Sequence, residues 1–391
     1  MSSVGCQPPN VQGETTVTQL RHQFELDVIW PELESFGITI SPDMAVIPGR
    51  ILSKPGITYA SSVAPSVNDQ AAWNLVGVKV EFAGASDRDL HEVVSAFRHM
   101  CNASGMRVTA DPTYATAQLP RRDSEAFDPI RQEAIKTIKD TLLSIKPKPT
   151  LIFVMLANED KAIYEGVKHL CDVRLDVATV CAQSGKIRRR NPHYLANVVL
   201  KVNTKLGGIN HRLDADGGKW LHGELTMVVG IDTSHPSPGS AVGCPSIAAV
   251  VASINNSFTQ YPAILEIQNS PHGSGMQGIP RPTHYYVIHD EIRYSADKIQ
   301  GITNALSYMY AGATQAISVA SPVYYANAAC QRGRCYLRKL LYGNVGEGGT
   351  TASGTQTGSE NATEMDVMQE ARRLWGWGVA GAGLKETMFY L

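Results

Sequence analysis

The sequence lacks any uncharged apolar stretch long enough to cross a membrane, and its start lacks a secretory signal. It also lacks a strong net charge, because 35 Lys and Arg residues face 36 Asp and Glu residues. No global positive field therefore indicates a nucleic-acid partner, and such a partner needs a local patch. We expect a cytoplasmic protein without a membrane partner, and the nucleus stays open as an alternative.

Several chemical motifs are also absent. The seven cysteines are odd in number and their spacing matches no zinc template, which predicts reduced, mostly buried thiols of an intracellular protein. No Gly-rich phosphate loop, nucleophile elbow or paired-His metalloprotease motif occurs. These absences argue against P-loop nucleotide hydrolysis, α/β-hydrolase chemistry and zinc proteolysis.

What is present is ordinary globular material long enough for two or three domains. The 391 residues are 43% hydrophobic and 18% charged. Polar residues 1–23 are predicted to be disordered. Residues 24–72 mix apolar pieces with turn formers, which is typical of an extended connecting segment that packs on something else. Residues 343–363 are rich in Gly, Thr and Ser and are predicted to form a flexible surface loop.

From Trp73 onward, strands and helices alternate. Strands are predicted over 73–82, 150–156 and 175–182, and helices over 86–104, 127–145, 161–171 and 192–206. The short apolar run at 150–156 is typical of a buried parallel strand. Alternation of this kind predicts an α/β domain of Rossmann type.

After residue 215 the pattern changes to strands joined by short links. Strands over 225–231, 246–254 and 263–267 are predicted to form an antiparallel meander. A further strand is expected at 284–289, and helices over 295–310 and 365–374. The apolar end, Met388–Leu391, is predicted to pack on the protein.

A local basic face lies between Lys161 and Arg212, where ten Lys and Arg residues face three Asp and Glu residues. Tyr164 and Lys168 are four apart and share a helix face, and Lys201 and Lys205 repeat this spacing on the next helix. Two such helices facing one crevice would suit a terminal phosphate. Because a solvated basic face is the commoner meaning of this spacing, both interpretations stay open on the residues alone.

A carboxylate follows an apolar strand at Gly230-Ile231-Asp232-Thr233-Ser234-His235-Pro236. Many nucleases hold Mg²⁺ with a carboxylate at a strand end. An Asp before Thr, Ser and Pro is more often a turn former, and a His before Pro is more often structural. The motif alone therefore leaves a metal site and a turn as alternatives.

Six short strings, in order, resemble those of eukaryotic Argonautes, and we expect a fungal origin. The strings are Lys201–Gly208 (KVNTKLGG), Val229–Pro236 (VGIDTSHP), Pro245–Val251 (PSIAAVV), Arg281–Val287 (RPTHYYV), Pro322–Tyr325 (PVYY) and Met388–Leu391 (MFYL). The resemblance implies a linker segment over 24–72, a Rossmann-like MID domain over 73–215 and an RNase H-like PIWI domain over 216–391. It also implies small guide RNA, complementary target RNA and silencing-complex proteins as partners.

The resemblance further implies a pocket for the guide 5′ phosphate where MID meets PIWI. Its expected residues are Tyr164, Lys168, Lys201 and Lys205, with Arg332 and the carboxylate of Leu391. Val180 replaces the family's Gln, so we expect weaker or altered phosphate binding, with Gln183 as a substitute donor. Residues 157–162 match the loop that reads the first guide base, but Glu159 and Asp160 depart from the usual pattern.

Guide-backbone contacts inside PIWI are implied only in part. Tyr310, Ser318 and Tyr324 match family positions, whereas Gly312 and Gln315 replace two Arg residues. The loss of two cations predicts weaker guide binding with a smaller salt dependence.

The slicing site is predicted to be incomplete. Slicing Argonautes use Asp, Glu, Asp and His (or Asp) around two Mg²⁺ ions, and here only Asp232 matches, with Asn327 at the fourth position. Ser270 runs directly into a string that matches far downstream in the family, so the middle of PIWI is missing. We expect no slicing, with any Mg²⁺ at the guide 5′ end or near Asp232. An active endoribonuclease and a protein-interaction module without RNA binding are the alternatives.

The missing segment also bears on the fold. The absent strand is expected beside the one that ends at Asp232, and each backbone group left buried without a partner costs roughly 1–3 kcal/mol. A partly open PIWI domain, rescue by a partner, an unexpected reconnection and a mispredicted gene all stay open. Asn327 departs from the family in each of these cases.

Overall fold

The structure is a computed structural model. It describes residues 9–15, 18, 35, 37, 52–59, 64–68, 71–73, 94–106, 113, 115–120, 130–157, 159–188, 191–222, 225–236, 240, 243–269, 285–338, 340, 364–376 and 383–391. One compact unit comprises residues 54–276 and 285–391, and a second comprises residues 1–53 and 277–284. In the second unit, helix α1 (Pro9–Thr15) lies within the segment that the sequence predicts to be disordered.

The first part of the larger unit contains parallel strands and helices, as the alternation predicts. Strands β2 (Leu151–Leu156) and β3 (Ala178–Gln183) pair in parallel, with Leu151 opposite Ala178. The described helices are α2 (Val94–Ala103), α3 (Gln132–Ser144), α4 (Lys161–His169), α5 (Ser184–Arg188) and α6 (Pro192–Lys205). The predicted strand at 73–82 lies outside the described residues except for Trp73.

Local sequence determines where α4 and α6 begin. The Asp160 side chain accepts a hydrogen bond from the backbone N–H of Ile163 and caps α4. Asn191 caps α6 in the same way, and Pro192 occupies the first turn, where its missing N–H is harmless. A π-helical turn, Leu170–Leu175, continues α4 and brings Asp172 into the protein interior.

The second part contains the predicted antiparallel meander. Strands β5 (Val229–Ser234), β6 (Ser246–Ala252) and β7 (Ala263–Gln268) lie in the order β5-β6-β7. The strand predicted at 284–289 is wrong, because residues 285–290 form no strand and Ile288 is 97% exposed. Among the described residues no strand pairs with the second edge of β5, so this segment has no neighbouring ladder to join.

A buried helix that the sequence analysis does not predict lies at the centre of the larger unit. Helix α9 (Ser321–Tyr336) packs on β5 and β6 and also on α4. Before it come α7 (Lys219–His222) and α8 (Ala296–Ser307), and α10 (Glu364–Trp375) follows it. Helix α9 therefore connects the strand–helix part of the unit with the meander.

The core of the larger unit includes Ile57 and Tyr59 of the connecting segment and also the chain end. Strand β1 (Ile57–Thr58) pairs with β4 (Arg212–Leu213), and Trp73 is buried. Met388, Phe389 and Tyr390 are almost fully buried, as the apolar ending predicts. The described cysteines are Cys101, Cys171, Cys181, Cys244, Cys330 and Cys335; all six are free and five are buried, which confirms for these six that the thiols are mostly buried. None of the helices in the described ranges is long and apolar enough to span a membrane.

Candidate functional site

The predicted basic face contains a buried lysine rather than a row of solvated ones. Lys168 on α4 is only 1% exposed, and its Nζ donates to the carbonyl oxygen of Thr179 at 2.8 Å and to its hydroxyl at 2.7 Å. The same ammonium lies 5.7 Å from the ring centroid of Tyr164, within range of a cation–π attraction. The spacing of Tyr164 and Lys168 thus places both side chains on one inward-facing surface.

The two lysines of α6 join this group. Lys205 is almost fully buried and donates to the carbonyl oxygen of Phe389. Burial lowers the pKa of Lys205 well below its ordinary value, and the nearby charges of Arg332 and Lys168 lower it further. Burial, Lys168 and Arg332 likewise lower the pKa of the partly exposed Lys201. Both directions are those expected where cations outnumber anions in a poorly solvated place.

Arg332 extends the group from α9. Its Nη1 donates to Asp172 Oδ2 and to the carbonyl oxygen of Phe389, both at 2.8 Å. Its Nη2 donates to the carbonyl oxygen of Tyr390 at 3.0 Å and to the carboxylate of Leu391 at 3.4 Å. Arg332 therefore ties α9 to the π-helical turn and to the chain end.

We call Lys168, Lys201, Lys205, Arg332 and Asp172 the cation cluster. The structure brings the four predicted cations together with Tyr164 and the end of Leu391. Asp172, which the sequence analysis does not select, is fully buried among them. The only sequence signal was an acidic residue inside an otherwise apolar helix end, Leu170-Cys171-Asp172-Val173.

Three further features predicted for the phosphate site lie outside the cation cluster: Gln183, Val180 and the loop before α4. Gln183 is four residues beyond Thr179 on β3, about 13 Å along the strand, and its Nε2 donates to Glu159 Oε1 at 2.9 Å. Val180 is 3% exposed and packs in the main core. Glu159 also faces Lys186 at 3.9 Å, so its charge is partly offset. Gln183 is thus paired with Glu159, a residue of the loop predicted to read the first guide base, and not with the cations.

The residues predicted to contact the guide backbone lie near the start of α9. The Tyr310 and Tyr324 ring centroids are 4.7 Å apart at 63°, and Ser318 is exposed. Burial, followed by the neighbouring phenols of Tyr324 and Tyr325, raises the pKa of Tyr310. A Cβ on Gly312 would contact the Tyr310 hydroxyl, so this ring occupies the space beside the glycine.

The predicted catalytic remnant is a single carboxylate beside an amide. Asp232 lies on β5, and its Oδ2 accepts a hydrogen bond from Asn327 Nδ2 at 2.7 Å. His235 is held by Ser246, with 2.8 Å between Nδ1 and Oγ. No group of three or more His, Cys, Asp or Glu side chains in the described ranges is arranged to hold a metal ion. One carboxylate and a neutral amide do not fit a two-metal centre, which needs several carboxylates to offset the ionic charge.

Two protein families match the sequence. The Piwi domain matches residues 151–273 and 271–338, and the Argonaute linker 2 domain matches residues 14–59. The linker match begins within the segment predicted to be disordered, at a position close to the end of α1.

The relatives and the solved structures agree with these families. The chain is 24% identical to "Protein argonaute MEL1" of Oryza sativa subsp. japonica, covering 91% of this chain and 46% of that protein. It is 22% identical to "Putative protein tag-76" of Caenorhabditis elegans, covering 84% and 44%. The chain thus spans less than half the length of these curated relatives.

The fold resembles the C-terminal lobe of a budding yeast Argonaute, with a TM-score of 0.65 at 16% identity over 88% of this chain and 94% of that chain. It also resembles Kluyveromyces polysporus Argonaute with a guide RNA, with a TM-score of 0.65 at 16% identity over 98% and 59%. The fold is thus mixed α/β with an RNase H-like second part, as the sequence predicts.

The comparisons also locate the internal gap. The alignment with the rice protein runs over 513 positions, yet 91% of 391 residues is about 356, so about 157 positions have no residue in this chain. The two pieces of the Piwi match meet at residues 271–273, where the sequence analysis expects the missing segment. Linker, Piwi domain, relatives and fold all lead to one conclusion: this chain belongs to the Argonaute family.

Proposed function

We propose that this chain binds the 5′-phosphorylated end of a small guide RNA at the cation cluster and acts in RNA silencing without cutting the target. The observation that supports this most is the convergence of three lysines and one arginine on a partly open site. A 5′ phosphate carries up to two negative charges and accepts several charge-assisted hydrogen bonds. Tyr164, beside Lys168, offers a ring and a hydroxyl to the same end of the RNA.

Lys201 is the cation best placed to make first contact. It is partly exposed, whereas Lys168, Lys205 and Arg332 are buried and already donate to protein oxygens. A phosphate that approaches Lys201 would raise the pKa of Lys201 again, because a nearby dianion stabilises the ammonium form. We therefore expect the exposed lysine to capture the phosphate and the buried cations to strengthen its binding.

Binding of matched RNAs tests the proposal. One small RNA would carry either a 5′ phosphate or a 5′ hydroxyl, and the full chain would be titrated with each at fixed salt. We expect the phosphorylated RNA to bind about tenfold more tightly or better, because charge-assisted hydrogen bonds contribute about 1.5–3 kcal/mol each. Equal dissociation constants would refute phosphate recognition.

The main rival is an active endoribonuclease, which the described geometry does not favour. The carboxylate of Asp232 is hydrogen-bonded to Asn327, whose amide can neither act as a base nor carry charge. We propose that any Mg²⁺ requirement lies at the guide 5′ end. The loss of phosphate selectivity on chelation with EDTA would support that placement, and unchanged selectivity would contradict it.

A second rival is a protein-interaction module that has lost RNA binding. Val180, Gly312 and Gln315 favour it, since each lacks the polar or charged group that the resemblance predicts. The retained cation cluster opposes it. Sequencing the RNA that copurifies with the protein from its own cells separates the two: a population of uniform length with 5′ phosphates supports guide binding, and bulk RNA fragments support the module.

Target RNA, silencing-complex proteins and a cytoplasmic location belong to the same proposal. Cell fractionation followed by crosslinking of bound RNA would test them together. A membrane-bound protein, or one without crosslinked RNA, would contradict this part of the proposal.

A further inference from the structure

Asp172 is a buried side-chain carboxylate that accepts a hydrogen bond from one cation of the cluster, Arg332. It is 0% exposed, and its Oδ2 accepts from Arg332 Nη1 at 2.8 Å and from the hydroxyl of Tyr336 at 2.9 Å. Its Oδ1 is buried and has no hydrogen-bond partner. A buried carboxylate oxygen without a donor is costly, so a compensating interaction is expected close by.

That compensation comes from charge. Arg332 donates to Asp172, and the charge of Asp172 raises the pKa of Lys205 against the larger effects of burial, Arg332 and Lys168. Like charges in a poorly solvated place repel strongly. Without Asp172, the empty cluster would contain Arg332, which stays charged, and three lysines with no side-chain anion.

The contacts of Arg332 give Asp172 a second effect. The guanidinium donates to Asp172 on one side and to the carbonyl oxygens of Phe389 and Tyr390 on the other. Carbonyl oxygens orient a guanidinium but carry no net charge, and the carboxylate of Leu391 lies farther from Arg332 Nη2, at 3.4 Å. Asp172, at 2.8 Å, therefore supplies the closer charged contact, which holds Arg332 between α9 and the π-helical turn.

We propose that Asp172 is a positioning residue of the phosphate site: it acts as the resident counter-ion that holds Arg332 and the lysines together while no phosphate is bound. This inference rests on the proposed function. When a phosphate enters, it takes over much of this compensation, and Asp172 then repels it. Asp172 thus stabilises the empty site and weakens phosphate binding.

The test compares the wild-type chain with Asp172→Asn, using inorganic phosphate and 5′-phosphorylated RNA as probes. We expect the Tm without phosphate to fall by about 5–10 °C, because an uncompensated buried charge is strongly destabilising. We expect both probes to bind the variant about tenfold more tightly, because a nearby negative charge has been removed. A lower Tm with unchanged or weaker phosphate binding would mean a purely structural role and would overturn the proposal.

Tyr336→Phe is the matched control. It removes one hydrogen bond to Asp172 but no charge. We expect it to lower the Tm without changing the affinity for phosphate. If Tyr336→Phe tightened phosphate binding as much as Asp172→Asn, loosened packing rather than lost charge would be the cause, and the proposal would fail.

A charge-compensated variant keeps the test decisive if Asp172→Asn does not fold. Adding Lys205→Met removes one cation, so the double variant should recover part of the lost Tm relative to the sum of the single changes. Failure to recover would overturn the counter-ion role. If wild type shows no binding of either probe while the double variant recovers, the proposed function fails and the counter-ion role stands.

Discussion

The cation cluster and the Asp232–Asn327 pair each contribute one residue to α9, but they differ in how many of the predicted site residues are present. Arg332 follows Asn327 by five residues on α9, about 7.5 Å along the helix axis. The cluster keeps all four predicted cations and adds a buried carboxylate. The pair keeps one carboxylate and joins it to an amide.

Burial explains the difference. Lys168, Lys205, Arg332 and Asp172 are at most 4% exposed, and each is hydrogen-bonded to another buried group, so the loss of any one side chain leaves a buried partner unsatisfied. Asn327 is exposed on α9, where a neutral side chain costs the fold little. A substitution in the buried cluster therefore also destabilises the fold, whereas a substitution at the exposed Asn327 can change the site without destabilising the fold.

The strongest contrast concerns RNA cleavage. With guide, complementary target and Mg²⁺, we expect no cut above background from the wild-type chain or from Asn327→Asp. Two carboxylates are still too few to hold two divalent ions about 4 Å apart. Denaturing gels of labelled target measure this, with EDTA as the control. A metal-dependent cut opposite the middle of the guide would show that the exposed pair is a working site.

Acid unfolding tests whether the cation cluster and the Asp232–Asn327 pair belong to one folding unit. His211 Nε2 is 2.9 Å from the carbonyl oxygen of Tyr308, and burial lowers its pKa from 6.5 to about 4. Because the folded pKa lies below the unfolded one, the unfolded chain binds the proton first. Stability is thus lost as pH falls from 6.5 towards 4, by up to about 3 kcal/mol.

Urea unfolding at several pH values checks this. We expect the free energy of unfolding to fall less steeply below pH 6.5 in His211→Gln than in the wild type. The exposed control, His193→Gln, should show the wild-type dependence on pH. Fluorescence and circular dichroism should report one transition if the cluster and the pair unfold together. An unaltered dependence on pH in His211→Gln would contradict the prediction.

Removal of the cluster's most buried lysine has a smaller but more specific effect. Lys168→Met should weaken binding of 5′-phosphorylated RNA about 10–100-fold, because it deletes one charge-assisted contact. Binding of 5′-hydroxyl RNA should change little, and the exposed Lys139→Met on α3 is the matched control. An equal loss for both RNAs would mean that Lys168 supports general affinity or folding rather than phosphate recognition.

The smallest effect is expected for a substitution at the contact between β5 and α9, the two elements that contain the Asp232–Asn327 pair. A Cβ at Gly230 would clash with the carbonyl oxygen of Pro322, so Gly230→Ala should push β5 from α9 at a cost of about 1–3 kcal/mol. Thermal unfolding measures this, with Gly301→Ala, where a Cβ meets nothing, as the control. Selectivity for 5′-phosphorylated RNA should persist; its loss would show that the two regions are mechanically coupled.

The sequence predicts most elements of the fold but not the central helix. Periodic apolar spacing predicts α4 and α6, and a wholly apolar run predicts β2. Helix α9 carries Tyr325, Ala326, Ala329 and Cys330 among its buried side chains and has no clean polar face, because it is covered by strands on one side and α4 on another. The exposed positions of this helix include Val323 and Tyr324, so apolar and polar residues do not separate onto two faces and the amphipathic signal is weak.

The site is likewise predictable only where residue type is informative. Lysines and a tyrosine at helical spacing predict which side chains share a helix face, whereas Asp172 has no such signal, since its partners Arg332 and Tyr336 lie 160 and 164 residues away. The strand expected at 284–289 fails for a different reason. Alternating side chains favour a strand, but a strand also needs a paired edge.

The contacts of the final residues constrain how the protein can be handled. Lys205 donates to the carbonyl oxygen of Phe389, and Arg332 donates to the carbonyl oxygens of Phe389 and Tyr390. Leu391 is only partly exposed. Any peptide fused after Leu391 would begin beside the cation cluster, where an acidic tag would compete with RNA for the cations. Purification handles and fluorescent reporters therefore belong at the opposite terminus.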